Sequence, residues 1–178
     1  MSSISTNKFD FENSIGFIIN RTAKVLIHVF DQELRKDIGI TFGQWKVIMI
    51  LVNNDTGLTQ KEIADKLGLE GPTIIPIIDK LEKDGFVFRQ VDKTDRRINR
   101  IFLTEKTNNL LDQMINCGLK IKKISLNGIS EKNVSIAKDT LEKMWQNIHD
   151  EFNLNIAVED HKQKRNTIQE VVDSNTRV

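Results

Sequence analysis

The sequence predicts a mainly α-helical protein that carries one small β-hairpin, and three patterns point to this class. Apolar residues recur at helical spacing in two long stretches, residues 13–36 and 105–152. Two shorter helical patterns lie between them and are joined by a turn that contains Gly68. Two short runs rich in Phe, Val and Ile, residues 86–91 and 99–103, flank a polar turn, which is typical of a hairpin.

The composition is that of a globular protein. Of the 178 residues, 39% are apolar and 29% are charged, a balance that distinguishes globular from disordered chains. No apolar run approaches the roughly 18 residues that span a membrane, the N-terminus has no signal-peptide pattern, and Cys117 is the sole cysteine. We therefore expect a cytoplasmic protein without a membrane partner. The net charge is +1, so any contact with nucleic acid depends on local basic patches.

The first two helices are separated by a glycine and a capping pattern. The first covers residues 13–36 and is ended by Gly39. Thr41 followed three residues later by Gln44 is a capping box, which opens the second helix. The residues expected on the buried side of the second helix are Phe42, Trp45, Ile48, Met49 and Val52.

The third and fourth helices are short and form a helix-turn-helix pattern. Thr59 and Glu62 are a second capping box, and Gly68 ends the helix that they open. The fourth helix ends at Gly85. The buried residues expected are Ile63, Ala64 and Leu67 on the third helix, and Ile74, Ile77, Ile78 and Leu81 on the fourth. Taken alone, this arrangement is equally typical of an ordinary helical corner.

Both prolines of the chain, Pro72 and Pro76, lie at the start of the fourth helix. If Thr73 is the N-cap, Pro76 falls among the N–H groups that lack a helical partner and removes no hydrogen bond. If the helix begins near Gly71, Pro76 removes one bond. Either interpretation places both prolines in the opening turns, where proline is tolerated best.

The predicted hairpin is a local basic patch. Its basic residues are Arg89, Lys93, Arg96, Arg97 and Arg100, against Asp92 and Asp95, which gives a local charge of +3. A basic hairpin after a helix-turn-helix is typical of a wing, whose arginines bind phosphates or enter the minor groove. The other interpretation is a solvated, charged turn.

Two long helices follow the hairpin. Thr104 caps a fifth helix over residues 105–126, and Ser130 caps a sixth that reaches residue 152. Together with the first helix they carry more apolar surface than a single winged domain of this size would bury. A symmetric dimer is the simplest way to bury that surface.

Five segments taken in order resemble the MarR family of winged helix-turn-helix regulators, over roughly residues 11–152. They read TFGQWKVI, LTQKEIADKLGL, GPTIIPIIDKLEKDGFVFR, DKTDRR and IFLTEK. The most specific part is the run D-x-x-D-R-R followed by an apolar strand and Leu-Thr. The resemblance implies a mainly α fold in which a winged helix-turn-helix lobe with a small β-hairpin wing is joined to N- and C-terminal dimerisation helices.

The resemblance also implies a function and a domain order. We expect a homodimer that binds a pseudo-palindromic operator in double-stranded DNA as a transcription regulator, in the role of a repressor, and that a small-molecule effector releases. The expected segments are a flexible N-terminus at 1–12, a dimerisation helix at 13–40, the DNA-binding domain at 41–104, C-terminal dimerisation helices at 105–157, and a mobile charged tail at 158–178.

The residues that the resemblance assigns to DNA lie on the third and fourth helices and on the wing. They are Thr59, Gln60, Thr73, Ile75, Pro76, Lys80, Arg89, Lys93, Thr94, Arg96 and Arg97. Asp95 is expected to orient Arg96 or Arg97. Ile75 and Pro76 stand where members of the family tend to carry polar residues, and they can only contact thymine methyls or fill space.

The remaining candidates are weaker. The resemblance implies a ligand pocket bordered by His28 and Trp45, although Trp45 is also a natural core residue. Cys117 is expected to pack rather than to sense oxidants. No cofactor, metal or enzyme is expected, because the sequence has no P-loop, nucleophile–base pair or metal-ligand spacing. The competing function is a winged-helix module that binds protein and has weak or non-specific affinity for DNA, which the apolar fourth helix favours.

Overall fold

The structure is a computed structural model that describes residues 10–152. Its helices are α1 Ile15–Asp37, α2 Phe42–Val52, α3 Gln60–Leu67, α4 Gly71–Lys83, α5 Glu105–Asn108, α6 Leu111–Ser125 and α7 Glu131–Phe152. Its strands are β1 Leu58–Thr59, β2 Val87–Val91 and β3 Asn99–Leu103. The predicted class, mainly α with a small β-hairpin wing, is confirmed. The expected segments at either end of the chain, 1–12 and 158–178, lie largely or wholly outside the described residues.

Both predicted capping boxes are present. The Thr41 N–H donates to Gln44 Oε1 at 2.8 Å, and the Gln44 N–H donates back to Thr41 Oγ1 at 3.1 Å. The Thr59 N–H donates to Glu62 Oε2 at 2.7 Å, and the Glu62 N–H donates to Thr59 Oγ1 at 3.1 Å. Gly68 ends α3 in the left-handed conformation, with φ of 61°, which a residue with a side chain rarely adopts.

The sheet contains a strand that the sequence pattern did not predict. The strand order is β1-β3-β2, and all pairs are antiparallel. Leu58 and Thr59 pair with Ile101 and Arg100. Two residues are too few to show an alternating pattern. They form a strand because Thr59, as the N-cap of α3, already has an extended backbone and lies alongside β3.

The predicted fifth helix is broken into α5 and α6. The Thr104 hydroxyl donates to the Gly85 carbonyl oxygen at 2.7 Å, the Thr107 hydroxyl donates to the Phe86 carbonyl oxygen, and Thr107 is fully buried. These bonds hold the first helical turn against the start of β2. The chain then leaves helical geometry at Leu110, with φ of −107° and ψ of −2°, before α6 begins.

The residues group into two compact units. One contains the described chain up to Trp45 together with Leu110–Ile129. The other contains Lys46–Asn109 together with the described chain from Ser130. The division into domains in chain order that the sequence suggested stays a prediction.

The core of the second unit is aliphatic. Its fully or nearly fully buried side chains include Val47, Ile48, Leu51, Ile63, Ile74, Ile78, Leu81, Val87 and Ile101. The predicted core was partly wrong, because Met49, Val52, Leu67 and Ile77 are only half-buried, as are Phe42 and Trp45 in the other unit. Helix α2 is apolar on most of its surface, so periodicity could not identify its buried side.

In the first unit, α1 packs against α6. The buried side chains there include Leu34, Met114, Cys117 and Ile121. The Trp45 ring lies 4.7 Å from Phe30 and 5.7 Å from Phe42 between ring centroids, and its indole N–H donates to the Met114 carbonyl oxygen at 3.3 Å.

Helix α7 differs from the others because none of its residues is buried. The rings of Trp145 and His149, one turn apart, stack on it at 4.9 Å. None of the helices between residues 10 and 152 combines the length and apolar character needed to cross a membrane.

Candidate nucleic-acid interface

Helix α4 is the second helix of the helix-turn-helix, and it begins earlier than one of the two predicted starts. Glu70 is the N-cap, and its carbonyl oxygen accepts from the N–H groups of Thr73 at 3.0 Å and Ile74 at 3.3 Å. Thr73 is therefore inside the helix and is not its N-cap. Pro76 is an internal proline, so the helix lacks the hydrogen bond that a Pro76 N–H would have given.

The outward face of α4 carries the residues predicted to contact DNA. Thr73, Ile75, Pro76 and Lys80 are all exposed, and Ile75 is 44% exposed. The opposite face is anchored, since Ile74, Ile78 and Leu81 are at most 1% exposed. This anchoring holds the helix together through Pro76.

Three charged residues in the second half of α4, Asp79, Lys80 and Glu82, form ion pairs. Lys80 Nζ lies 2.9 Å from Asp84 Oδ1. Arg89 on β2 binds both Asp79 and Glu82 through its guanidinium group, and its backbone N–H donates to Glu82 Oε1 at 3.1 Å. Arg89, predicted as a DNA contact, therefore clamps the wing strand to α4.

The tip of the wing is organised by two aspartates. Asp92 Oδ1 accepts from the Thr94 N–H at 2.7 Å, from the Thr94 hydroxyl and from the Asp95 N–H at 3.1 Å. Asp95 Oδ1 accepts from the Arg97 N–H at 2.9 Å. Asp95 thus positions the backbone of Arg97 rather than a guanidinium group, and the Thr94 hydroxyl hydrogen is already used inside the turn.

Arg100 connects the wing to the start of the helix-turn-helix. Its guanidinium group pairs with Asp92, donates to the Gly57 carbonyl oxygen at 3.1 Å and lies 3.6 Å from Glu62. Sequence reasoning counted Arg100 only as local charge. Asp92 had a recognisable signal, because an aspartate that bonds the backbone two residues on is typical of a turn, whereas nothing in the sequence indicated the distant partners of Arg100.

Three basic side chains at the tip remain available. Lys93, Arg96 and Arg97 are exposed, and within residues 10–152 their side chains take part in no hydrogen bond or ion pair. The positive potential of the wing therefore comes from these three residues. Thr59 and Gln60 at the start of α3 are half-buried. Thr59 uses its hydroxyl oxygen as an N-cap acceptor, and its hydroxyl group also carries a hydrogen that can be donated.

The network around Asp92 makes stability depend on pH. Hydrogen bonds from Thr94 and then from Arg100 lower the pKa of the Asp92 carboxyl group well below its usual range. A lowered pKa in the folded state stabilises the protein above the unfolded-state pKa of about 4, and this contribution is lost as the pH falls below it.

The difference in unfolding free energy between wild type and Asp92→Asn should therefore be widest at neutral pH and shrink below about pH 4. Urea unfolding over a pH series measures it, with Asp65→Asn on α3 as the control. A gap that does not change with pH would contradict the assignment.

The residues predicted to border a ligand pocket occupy different environments. Trp45 is half-buried among aromatic rings in the first unit, whereas the His28 side chain on α1 is exposed.

Cys117 is buried, and its thiol has a raised pKa. The main cause is burial, followed by the nearby carboxylates of Asp37 and Glu33. A raised pKa disfavours the reactive thiolate. In the described part of the chain, no group of three or more His, Cys, Asp or Glu residues is placed to hold a metal ion.

A known family model matches most of the winged lobe. The model of the MarR family matches residues 40–98. The crystal structure of a MarR transcriptional regulator from Methanosarcina mazei Go1 is 30% identical, with a TM-score of 0.67, and the match covers 75% of this chain and 94% of that one. This chain belongs to the MarR family. It is thus a DNA-binding transcription regulator of the winged-helix class rather than an enzyme.

Two further relatives were solved with their ligands. A Staphylococcus aureus MepR–DNA complex is 25% identical to this MarR-family protein, with a TM-score of 0.70, and the match covers 75% of this chain and 98% of that one. CouR from Rhodococcus jostii RHA1, bound to p-coumaroyl-CoA, is 26% identical, with a TM-score of 0.67 and coverage of 75% and 92%.

Proposed function

We propose that this MarR-family protein is a homodimeric repressor that binds a pseudo-palindromic operator through α4 and the wing and that a small molecule releases. The observation that carries the proposal is the free cationic tip, Lys93, Arg96 and Arg97, on the same lobe as the exposed face of α4. A recognition helix in the major groove with a cationic wing on the flanking backbone or minor groove is how such lobes bind DNA. As a DNA-binding protein, it would act in the cytoplasm beside the genome.

The proposed contact set is smaller than the predicted one. It keeps Thr59, Gln60, Thr73, Ile75, Pro76, Lys80, Lys93, Arg96 and Arg97. Lys80 stays because its partner Asp84 holds it only in a surface ion pair, which contributes about 0–1 kcal/mol and is readily exchanged for a phosphate. Arg89 and Thr94 are left out because the Arg89 guanidinium group is bound by Asp79 and Glu82 and the Thr94 hydroxyl donates to Asp92.

Specific retention of genomic fragments in a mobility-shift experiment tests this function. Operator binding predicts that a few fragments are retained at a salt concentration that releases the others. The competing interaction module, which the exposed Ile75 favours, predicts uniform, weak retention that disappears as salt rises. The second result would reject the repressor function.

The dimer proposal rests on apolar side chains that the single chain leaves exposed on its long helices. On α1 they include Ile15, Val25 and Ile27; on α6, Ile115, Leu119 and Ile124; and on α7, Ile136, Leu141, Ile148 and Phe152, all at least 38% exposed. Exposed apolar surface of this kind on a helix marks an interface, and a second copy of the chain presents the same surface.

A dimer predicts a simple hydrodynamic result. Sedimentation equilibrium at micromolar concentration should give a mass of about 41 kDa, twice the chain mass of 20.5 kDa. Leu141→Asp on α7 should lower the average mass, because it places a carboxylate in the apolar surface. A stable, folded wild-type monomer under these conditions would contradict the proposal.

Release by an effector is supported by a relative. CouR was solved bound to p-coumaroyl-CoA, which makes a small organic ligand a reasonable class for this chain. A pocket bordered by His28 and Trp45 stays a prediction, and a compound that dissociates the protein from its operator would be the first sign of such a ligand.

A further inference from the structure

We infer that α4 reads its operator through thymine methyl groups, by apolar contact, instead of through hydrogen bonds to purine edges. The inference rests on the proposed function, since it needs α4 in the major groove. In helix-turn-helix proteins the N-terminal residues of the second helix contact the base edges. The chemistry of the first two turns of α4 therefore decides what the protein can recognise there.

Those first two turns are nearly free of polar side-chain atoms. From Gly71 to Ile78 the sequence is GPTIIPII, and the hydroxyl of Thr73 is its only polar side-chain group. The side chains that face outward there, Thr73, Ile75 and Pro76, are exposed, so the apolar character belongs to the surface and not only to the core. None of them carries the guanidinium or amide group that binds guanine or adenine in a bidentate manner.

The polar groups farther along the helix serve other contacts. Asp79 and Glu82 hold Arg89, and Lys80, whose surface ion pair with Asp84 is readily exchanged, is proposed to bind a phosphate. Lys83 lies ten residues beyond Thr73, about 15 Å along the helix axis, at the end opposite to the base-contacting turns. Glu70 precedes the helix and is exposed, but a carboxylate only accepts hydrogen bonds, so in the major groove it can meet the amino groups of cytosine and adenine and cannot bind guanine.

Within the major groove, the thymine C5-methyl is the apolar group on the base edges. A surface made of isoleucine, proline and the threonine methyl packs well against the thymine methyl. The same surface displaces water from the polar groups of other base edges and gives them no hydrogen bond in return. We therefore expect operators with thymines at the half-site centres and little discrimination among the other bases there. Specificity elsewhere is left to the wing and to the deformability of the DNA.

A methyl-specific substitution in the DNA tests this without changing the protein. Binding-site selection first yields the operator. Deoxyuridine then replaces the thymines at the half-site centres, which removes only the methyl group. Affinity should fall about fourfold for each contacted methyl, the equivalent of one buried methylene. Deoxyuridine placed at thymines outside the half-sites is the matched DNA control and should have no effect.

Three variants sharpen the result. Ile75→Ala, at an exposed position that leaves folding intact, should reduce the difference in affinity between the thymine and deoxyuridine operators. Lys93→Ala on the wing should weaken binding to both operators by the same factor. Pro76→Arg should gain a guanine preference at the half-site centres, because arginine binds guanine in a bidentate manner.

The outcomes separate the inference from the function on which it rests. If selection enriches no sequence, the proposed operator binding fails. If selection yields an operator with sharply chosen guanines at the centres, or if deoxyuridine and thymine operators bind equally well, the protein is an operator-binding regulator and apolar readout by α4 is overturned.

Discussion

Replacing either Arg96 or Arg97 by alanine should weaken operator binding at least about tenfold and make its dependence on salt shallower. Each dimer loses two guanidinium groups, one at each wing, and each phosphate contact removed lowers the slope of log affinity against log salt by about 0.9. Both side chains are exposed and unpaired within the described chain, so their loss leaves the fold of the lobe unchanged.

Titrations of a labelled operator at several salt concentrations provide the measurement. Lys123→Ala on α6 removes the same charge outside the lobe and should leave the salt slope unchanged. If Arg96 enters the minor groove, its loss should also alter the preference for A·T over G·C at the flanks of the operator. Wild-type affinity and slope in both arginine variants would show that the wing does not bind DNA.

Replacing Gly57 by alanine should lower the free energy of unfolding by about 2–4 kcal/mol, from backbone strain and steric overlap together. Gly57 has φ of +68°, and an added Cβ would lie 2.6 Å from the ring of Phe102. That ring is stacked on Phe88 at 5.5 Å and cannot move aside without losing this contact. The Gly57 carbonyl oxygen also accepts from Arg100, so a shift of the turn disturbs the connection to the wing.

Gly39→Ala is the matched control for this effect. Gly39 has φ of +83°, but an added Cβ there meets no atom within 4 Å. It should carry the strain of the left-handed conformation alone, roughly 1–2 kcal/mol. The excess loss in Gly57→Ala should fall when Phe102→Leu is added, since the smaller side chain relieves the overlap. Equal losses in the two alanine variants, by denaturant unfolding, would refute the steric explanation.

Capping patterns and turn glycines were reliably predicted from the sequence, because the residues that interact in them are close in the chain. Each capping box joins residues three positions apart, as Thr41 with Gln44 and Thr59 with Glu62. Gly68 required nothing but its own positive φ. Such features predicted where α2 and α3 begin and where α3 ends, whereas β1 and the break between α5 and α6 were not predicted.

The electrostatics of the site depended on distant residues and were not predictable. Arg89 meets Asp79 ten positions earlier, and Arg100 meets the Gly57 carbonyl 43 positions earlier. Counting charges along the hairpin gives all five basic residues the same weight. The fold commits Arg89 and Arg100 to internal pairs and leaves the tip with Lys93, Arg96 and Arg97.

The surroundings of Trp45 also give the protein an optical reporter. The chain has two tryptophans, Trp45 and Trp145, and no tyrosine, so its near-ultraviolet emission comes from two indoles. Trp145→Phe would leave Trp45 as the sole emitter, with its ring against Phe30 and its N–H bonded to the Met114 carbonyl of α6. Its emission spectrum would then follow the separation of α1 and α6 in real time, without an attached dye, while an operator or an effector is added.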